Sequence, residues 1–288
     1  MLGVLLAFGA LFCWAFGDYF IQKTTKTIGI WKALLYITLT GTIVLLPFVN
    51  EEIPAILTNT SDLILLLATG VILFIAAIFE FRGFKEGKLS VIEPALGAEL
   101  PITILLSIFI WNERPTLSQG LLMLSVFVGI TLAVTLTHRH LHYHKSIFEK
   151  GVIFALLGAI LMGVSNFLMG VSSQQTSPLL TMWFTSAILS VLSFTYMSMT
   201  GELHGFFASF RKYPGMILGE TILDNLAWIC YTFAMSLIPI SLATTISESY
   251  IAVAVLLGFI INKDKLKHHQ KVGIVLATAG VILLSGIS

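Results

Sequence analysis

One sequence pattern occurs twice in this chain, 151 positions apart, and it restricts the possible folds more than any other feature. The first copy, residues 90–137, consists of an apolar segment, a short polar turn and a second apolar segment. Four of its residues are matched in the second copy: Ser90 by Ser241, Glu113 by Asp264, Gln119 by Gln270 and Gly129 by Gly280. The opening segments of the two halves also align, with Asp18 opposite Asn166. A repeat of this length predicts a molecule built from two related halves.

The segments between the polar turns are apolar runs of about twenty residues, the length with which an α-helix crosses a bilayer core of roughly 30 Å. The chain is 57% hydrophobic and only 11% charged, whereas a soluble domain carries about 25% charged residues. We therefore predict an all-α integral membrane protein whose surroundings are the lipid bilayer. The net charge of +1 gives no reason to expect a nucleic-acid partner.

We predict ten transmembrane helices arranged as two inverted five-helix repeats. The predicted spans are residues 2–22, 31–49, 62–82, 90–111, 117–137, 151–172, 179–200, 214–237, 240–261 and 270–287. The first repeat occupies residues 1–137, a polar, His-rich linker occupies 138–150, and the second repeat occupies 151–288. Because five is an odd number, the second half enters the membrane in the opposite orientation. Inverted repeats are typical of secondary transporters, in which the binding site lies between the halves near the middle of the membrane.

The distribution of basic residues predicts the orientation of the chain. Fifteen of the sixteen Lys and Arg residues belong to the loops that follow odd-numbered spans, which all lie on one side of the membrane. Arg114 alone lies on the opposite side. Positively charged loops are retained in the cytoplasm. This places both termini outside, in a multi-pass protein of the plasma membrane.

These halves resemble the EamA-type ten-helix members of the drug/metabolite transporter superfamily. Each half closes with an acidic residue, a spacer, a glutamine and a glycine within the last helix. The residues that carry this pattern are Glu113, Gln119 and Gly129 in the first half and Asp264, Gln270 and Gly280 in the second. The chain departs from the family where Asn112 and Lys263 replace a usual Gly before the acid. Family members usually keep their termini in the cytoplasm, the reverse of what the basic residues predict here. The resemblance implies a transporter, and it leaves the substrate open.

Seven of the fifteen carboxylates fall inside predicted spans: Asp18, Glu80, Glu93, Glu99, Glu220, Asp224 and Glu248. Each would cost about 2.5–3.5 kcal/mol if it faced lipid at mid-membrane. We therefore expect them to face a water-filled cavity between the halves. Since Arg82 is the only basic residue near them and lies at a span end, the cavity should be acidic and should favour cations or protons.

The eighth span carries the densest set of candidate binding residues. Glu220, Asp224, Trp228 and Tyr231 are spaced 4, 4 and 3 residues apart, so they share one helix face. Two carboxylates one turn apart in a low dielectric repel each other when both are ionised. We expect this pair to exchange a proton for a cationic substrate, with cation–π stacking on the two rings. The alternative for Glu220 is a position at the membrane interface, where it solvates that end of the helix.

Four further spans contribute candidate residues for the binding site. Trp14 and Asp18 are one turn apart on the first span, and Asn166 occupies the place of Asp18 in the second half. The alternative for this polar pair is a hydrogen bond between helices. Glu99 and Glu248 lie near the middle of the fourth and ninth spans, which correspond to each other in the repeat.

From these residues we expect a secondary transporter that moves a small polar or cationic metabolite by alternating access, with protons as a candidate coupling ion. A flippase for a lipid-linked amino-sugar is the closest alternative. A different class, a metal-handling protein or intramembrane enzyme, would use the histidines that alternate from 138 to 144. The chain has no phosphate-binding Gly-rich loop, so we expect no cofactor, no ATP-driven step and no enzymatic activity. We expect a monomer or homodimer with a small-molecule substrate.

Overall fold

The computed structural model describes residues 1–87, 92, 95–134, 150–253 and 267–287, and within these ranges the regular structure is entirely helical. The first half contains α1 (Leu2–Ile28), α2 (Ile30–Val49), α3 (Ile53–Thr58), α4 (Thr60–Glu86), α5 (Glu99–Phe109) and α6 (Leu117–Val134). The second half contains α7 (Lys150–Gln175), α8 (Pro178–Thr200), α9 (Phe206–Lys212), α10 (Pro214–Leu237), α11 (Ile240–Glu248) and α12 (His268–Gly286). The prediction of an all-α membrane protein is therefore confirmed.

Six helices in the described part of the chain are long and apolar enough to cross a bilayer: α1, α2, α4, α7, α8 and α12. The apolar helices α5 and α6 are shorter. The helix α10 has 24 residues but is not among the six, and it carries Glu220 and Asp224. The number of ten spans remains a prediction.

The helices of the two halves pair in a pattern that is unchanged when the halves are exchanged. α1 of the first half packs on α10 of the second, and the equivalent pair, α7 with α4, is in contact as well. Three further pairs, α2 with α8, α5 with α11 and α6 with α12, each join a helix to its own counterpart. Such symmetric pairing is what two copies of one unit produce when they face each other across a pseudo-two-fold axis.

Two reciprocal hydrogen bonds show that the final helices of the two halves run in opposite directions. Gln119, near the start of α6, donates to the carbonyl of Ile287, just beyond the end of α12, at 3.3 Å. Gln270, near the start of α12, donates to the carbonyl of Ala133, near the end of α6, at 3.2 Å. Because α6 and α12 are equivalent in the repeat and antiparallel in space, the repeats are inverted.

Close packing of α6 against α12 depends on glycine in the contact. A Cβ atom added to Gly129 would lie 2.5 Å from the backbone nitrogen of Ala277 and 2.8 Å from the carbonyl oxygen of Gly273. Backbone atoms on both sides leave no room for a side chain. Small residues at such crossings allow helix backbones to approach closely in a membrane.

The fourth and ninth spans, predicted as continuous helices, are each interrupted, and the two interruptions occupy the same place in the repeat. Residues 97–98 form a turn before α5, and Ser249 forms a turn between α11 and the helical residues 250–253. In the first half, Pro101 removes the backbone donor that would bond to the carbonyl of Gly97 and its ring crowds that carbonyl. The breaks place Glu99 and Glu248 beside non-helical backbone, as in the discontinuous helices of secondary transporters.

The first helix extends beyond its predicted end at residue 22 and continues to Ile28. Its last two turns are polar, but the hydroxyls of Thr24 and Thr25 are satisfied within the helix, donating to the carbonyls of Phe20 and Gln22. These internal bonds allow threonines to remain in a helix that is packed against other helices.

Candidate functional site

A cavity of about 770 Å³, including its opening to solvent, lies between the two halves. Its lining comes from α1, α2, α4 and α5 of the first half and from α7, α8, α10 and α11 of the second. In the first half these residues come from the parts of α1, α2 and α4 that are nearest the Lys- and Arg-rich loops.

Five carboxylates line this cavity: Asp18, Glu80, Glu99, Asp224 and Glu248. They come from five different elements, and no Lys, Arg or His stands beside them in the lining that the described residues form. Of the nine residues predicted for the site, seven belong to the lining: Trp14, Asp18, Glu99, Asn166, Asp224, Trp228 and Glu248. Glu220 and Tyr231 do not.

Glu99 and Glu248 form an acidic pair between the two halves. Each is almost completely buried, and their side chains hydrogen-bond to each other across the two halves. A bond between two carboxyl groups needs a proton on one of them. The second oxygen of Glu248, Oε2, has no hydrogen-bond partner. The two helix breaks thus bring one acid from each half into a pair that holds a proton and keeps a free acceptor.

Asp18 and Asp224 form the other side of the acidic lining. The Tyr250 hydroxyl contacts the Asp18 carboxylate, and Trp228 contacts Asp224. One oxygen of Asp18, Oδ2, has no partner although the residue is only 4% exposed. Asn166, which the repeat places opposite Asp18, also lines the cavity, and its side-chain oxygen has no partner. These atoms are acceptors that a ligand with N–H or O–H groups could satisfy.

Aromatic rings form one wall of the cavity. The Trp14 ring meets Trp228 edge to face with ring centroids 5.4 Å apart, and Tyr250 at 5.9 Å. Tyr231 stands behind this wall, fully buried, with its ring 5.1 Å from that of Trp14. Its hydroxyl and that of Thr244 are 2.7 Å apart, which ties α10 to α11 one turn before Glu248. Tyr231 therefore supports the wall and does not face the cavity.

Glu220 lies outside the cavity and is completely buried. Neither of its carboxyl oxygens has a well-formed hydrogen bond. The hydroxyl of Thr24 contacts the carboxyl group but donates to the carbonyl of Phe20. This burial contradicts the alternative that Glu220 solvates one end of its helix at the membrane interface.

The structure adds residues to the lining that the spacing of acids did not indicate. Glu80, one of the seven carboxylates inside predicted spans but not one of the candidate binding residues, lines the cavity, and nearby Arg82 pairs with Glu86 at 3.6 Å. Tyr250 is the residue 151 positions after Glu99, so the repeat itself could have identified it. Hydroxyls on α2 and α8 complete the lining: Thr38, Thr185 and Ser186.

At the end of the molecule that carries Arg114, polar contacts join the two halves. Glu113 accepts hydrogen bonds from the backbone nitrogens of Ile240 and Ser241, at 2.5 and 3.0 Å, and from the Ser241 hydroxyl at 2.6 Å. Its negative charge lies at the start of α11, where the helix dipole is positive. The repeated acid is thus a helix cap that crosses from one half to the other.

Gln174 makes two further hydrogen bonds at the same end of the molecule. It accepts a bond from the Trp111 indole and donates to the carbonyl of Met235, both at 2.8 Å. This links α7 to the end of α5 in the other half and to the end of α10.

Two of the predicted features lie outside the described residues: the histidines of the central linker and Glu93. Among the residues that are described, no group of three or more His, Cys, Asp or Glu side chains is arranged to hold a metal ion. The metal-handling alternative therefore depends on a segment about which the structure gives no information.

Comparisons with known proteins agree with this architecture. The model of the EamA-like transporter family matches the chain twice, over residues 1–135 and 149–286. An uncharacterized transporter of Archaeoglobus fulgidus is 25% identical over 131 residues, which are 45% of this chain and 47% of that protein. The match therefore spans about half the length of this curated relative. A solved crystal structure superposes with a TM-score of 0.72 over 99% of this chain and 98% of its own, at 13% identity. At that identity, the likeness shows the fold alone.

Proposed function

This chain belongs to the EamA-like transporter family, and from that premise we propose that it is a proton-coupled secondary transporter of a small cationic metabolite. It works by alternating access between two inverted halves, as a monomer or homodimer in the plasma membrane. The observation that carries this proposal is the cavity between the halves, which five carboxylates line without a basic residue among its described neighbours.

An acidic cavity selects its contents by charge. Buried carboxylates without a partner are costly in a low dielectric, so they hold protons or attract cations. The polar atoms without partners in this lining are all oxygens: Asp18 Oδ2, Asn166 Oδ1 and Glu248 Oε2. An anionic substrate would be repelled by such a lining, and a cation would satisfy it.

Proton coupling rests on the pair of Glu99 and Glu248. Their mutual hydrogen bond requires one proton, and a cation that approaches Glu248 competes for the same carboxylates. Binding of the cation therefore favours release of the proton, which gives exchange of one for the other. Because the acids come from opposite halves, the exchange is sensitive to how the halves sit against each other.

Alternating access needs one closed end in each state. The bonds from Ser241 to Glu113 and from Trp111 to Gln174 join the halves at the end that carries Arg114, while the first-half lining lies toward the opposite, basic end. In the proposed cycle this structure is the state closed at the Arg114 end. The opposite state requires these hydrogen bonds to break.

A binding panel on the purified protein tests the charge of the substrate. A ligand that binds only the folded state raises the midpoint of thermal unfolding. We expect organic cations such as choline and butylamine to raise it, and butyrate, succinate and glucose to leave it unchanged. The variants Asp224→Asn and Glu248→Gln should lose the response, while Glu202→Gln, at an exposed loop position, should keep it. Stabilisation by the anions or the sugar, without any by the cations, would overturn the proposal.

Transport is tested with proteoliposomes in which an imposed pH gradient drives uptake of labelled choline, whose permanent charge prevents passive entry. Uptake should cease when nigericin collapses the gradient in potassium medium. If uptake continues at the same rate without the gradient, protons are not the coupling ion.

A further inference from the structure

The arrangement of acceptors in the cavity narrows the class of cation. We propose that the preferred substrate is a linear diamine, which bridges the two halves by binding Asp18 with one ammonium group and Glu248 with the other. This inference rests on the proposed function and adds the number of positive charges to it.

The unpaired atoms of the cavity are the first step of the argument. Among the fully buried atoms of the described lining, two carboxylate oxygens have no hydrogen-bond partner, Asp18 Oδ2 and Glu248 Oε2. Both residues are more than nine-tenths buried. They belong to opposite halves of the molecule, on α1 and α11. Every unpaired buried polar atom in the described lining is an acceptor. Since an ammonium group has donors only, a ligand with one at each end matches both oxygens.

Charge balance is the second step. Five carboxylates line the cavity. Any two of them that are ionised at the same time need two positive charges beside them, because an unpaired charge in a buried site is costly. A second positive charge on the same molecule reduces this cost without the need to bind a second ligand.

The apolar part of the lining suits an aliphatic chain. Trp14, Trp228 and Tyr250 line the cavity with their ring centroids within 5.9 Å of Trp14. The apolar side chains of Ile37, Leu73 and Met162 complete the lining near them. Methylene groups pack on such surfaces, and aromatic faces also attract the ammonium ends. A hydrated metal ion would leave these apolar surfaces without a partner.

The spread of the acids also favours an extended ligand over a metal ion. In the described part of the chain, no three acidic, His or Cys side chains are arranged to hold one metal ion. The carboxylates instead come from five elements around the cavity, a pattern that a flexible molecule with separated charges can contact at several points.

The test compares two amines of equal carbon length, 1,4-diaminobutane and butylamine, by calorimetric titration of the purified protein in detergent. The second ammonium adds at least one charged hydrogen bond, so we expect the diamine to bind about tenfold more tightly or better. Asp18→Asn and Glu248→Gln should each remove the advantage of the diamine over butylamine. Glu202→Gln is the matched control, and it should retain the full difference.

The possible outcomes separate this proposal from the one before it. Equal affinity for the two amines in the wild-type protein would overturn the diamine proposal and leave cation transport standing. Binding of neither amine would overturn the diamine proposal as well. If butyrate or glucose binds and neither amine does, the proposed transport of cations is overturned as well. The wild-type comparison does not depend on whether any variant folds.

Discussion

The two ends of helix α11 present carboxylates in opposite circumstances. At its start, Glu113 of the other half accepts three hydrogen bonds from Ile240 and Ser241. At its end, Glu248 keeps an oxygen without a partner and meets a second acid, Glu99. Helix α11 has nine residues, so about 13 Å of rigid helix separates these sites. A carboxylate whose bonds are all supplied by the fold holds the fold together, whereas one whose bonds are missing is available to a proton or a ligand.

The position of α11 between Glu248 and Glu113 suggests how a change in the cavity could affect the end of the molecule that carries Arg114. Tyr231 also holds α11, through Thr244. A change in the ligand at Glu248 that moves the short helix would therefore act on the cap formed by Glu113. The helix would serve as the element that links occupation of the cavity to opening of the Arg114 end.

The largest effect on transport is expected from Glu248→Gln. The amide keeps the shape but removes the charge and the exchangeable proton, and loss of a charged hydrogen bond of roughly 3 kcal/mol lowers uptake about 100-fold. The stability should not fall, because the variant removes an unpaired buried charge and can still donate to Glu99. Uptake of labelled choline and the unfolding midpoint measure the two effects. Retained uptake would remove Glu248 from the site.

The opposite combination is expected from Glu113→Gln. Its amide would turn N–H groups toward the backbone donors of Ile240 and Ser241, and the loss of charged bonds at the helix start costs roughly 1.5–3 kcal/mol of stability. Thermal unfolding should occur at a lower temperature, while ligand affinity changes less than in Glu248→Gln. The exposed Glu202→Gln variant is the control. An unchanged midpoint would show that the cap does not hold the halves together.

The difference between Glu113 and Glu248 was only partly predictable from the sequence. The cost of carboxylates in a membrane indicated which of them converge, and Asp18, Glu99, Asp224 and Glu248 do line one cavity. The repeat identified Glu113 and Gln119 as matched positions, but not that one caps a helix of the other half and the other bonds to Ile287. Such contacts depend on packing across the two halves, and spacing along one helix carries no information about it.

The sequence also did not predict the two helix breaks or how much of the α10 face lines the cavity. Pro101 indicated freed carbonyls in the fourth span, yet nothing comparable marked Ser249 in the ninth. The 4, 4, 3 spacing placed Glu220, Asp224 and Tyr231 on one face, and the face is real. The cavity, however, covers only the middle of it, so that Asp224 and Trp228 line the cavity while Glu220 and Tyr231 are packed away from it.

A smaller effect on stability and affinity is expected from Tyr231→Phe, which tests whether α11 holds Glu248 in position. The substitution keeps the ring against Trp14 and removes only the hydroxyl bonded to Thr244. Leaving one buried hydroxyl without its partner costs about 1 kcal/mol of stability. Diamine affinity should fall by less than about tenfold, through looser placement of Glu248. Thr244→Val should reproduce the effect, and the double variant should add little to either, because both remove the same bond. Fully additive losses would contradict the link through this hydroxyl.

The smallest effect on transport is expected from Glu220→Gln, although Glu220 lies one turn from Asp224. Glu220 is buried without a well-formed hydrogen bond and outside the cavity, so its charge neither contacts a ligand nor stabilises the fold. Replacement by the neutral amide should leave uptake within about twofold of the wild type and should not lower stability, since it removes an unpaired buried acid. Asp224→Asn, on the same helix face, should lower uptake strongly, though by no more than Glu248→Gln, and provides the matched comparison. A loss of uptake in Glu220→Gln as large as that in Asp224→Asn would mean that protons reach the cavity through Glu220. Both acids of α10, Glu220 as well as Asp224, would then belong to the functional site, which would extend toward the basic end of this helix.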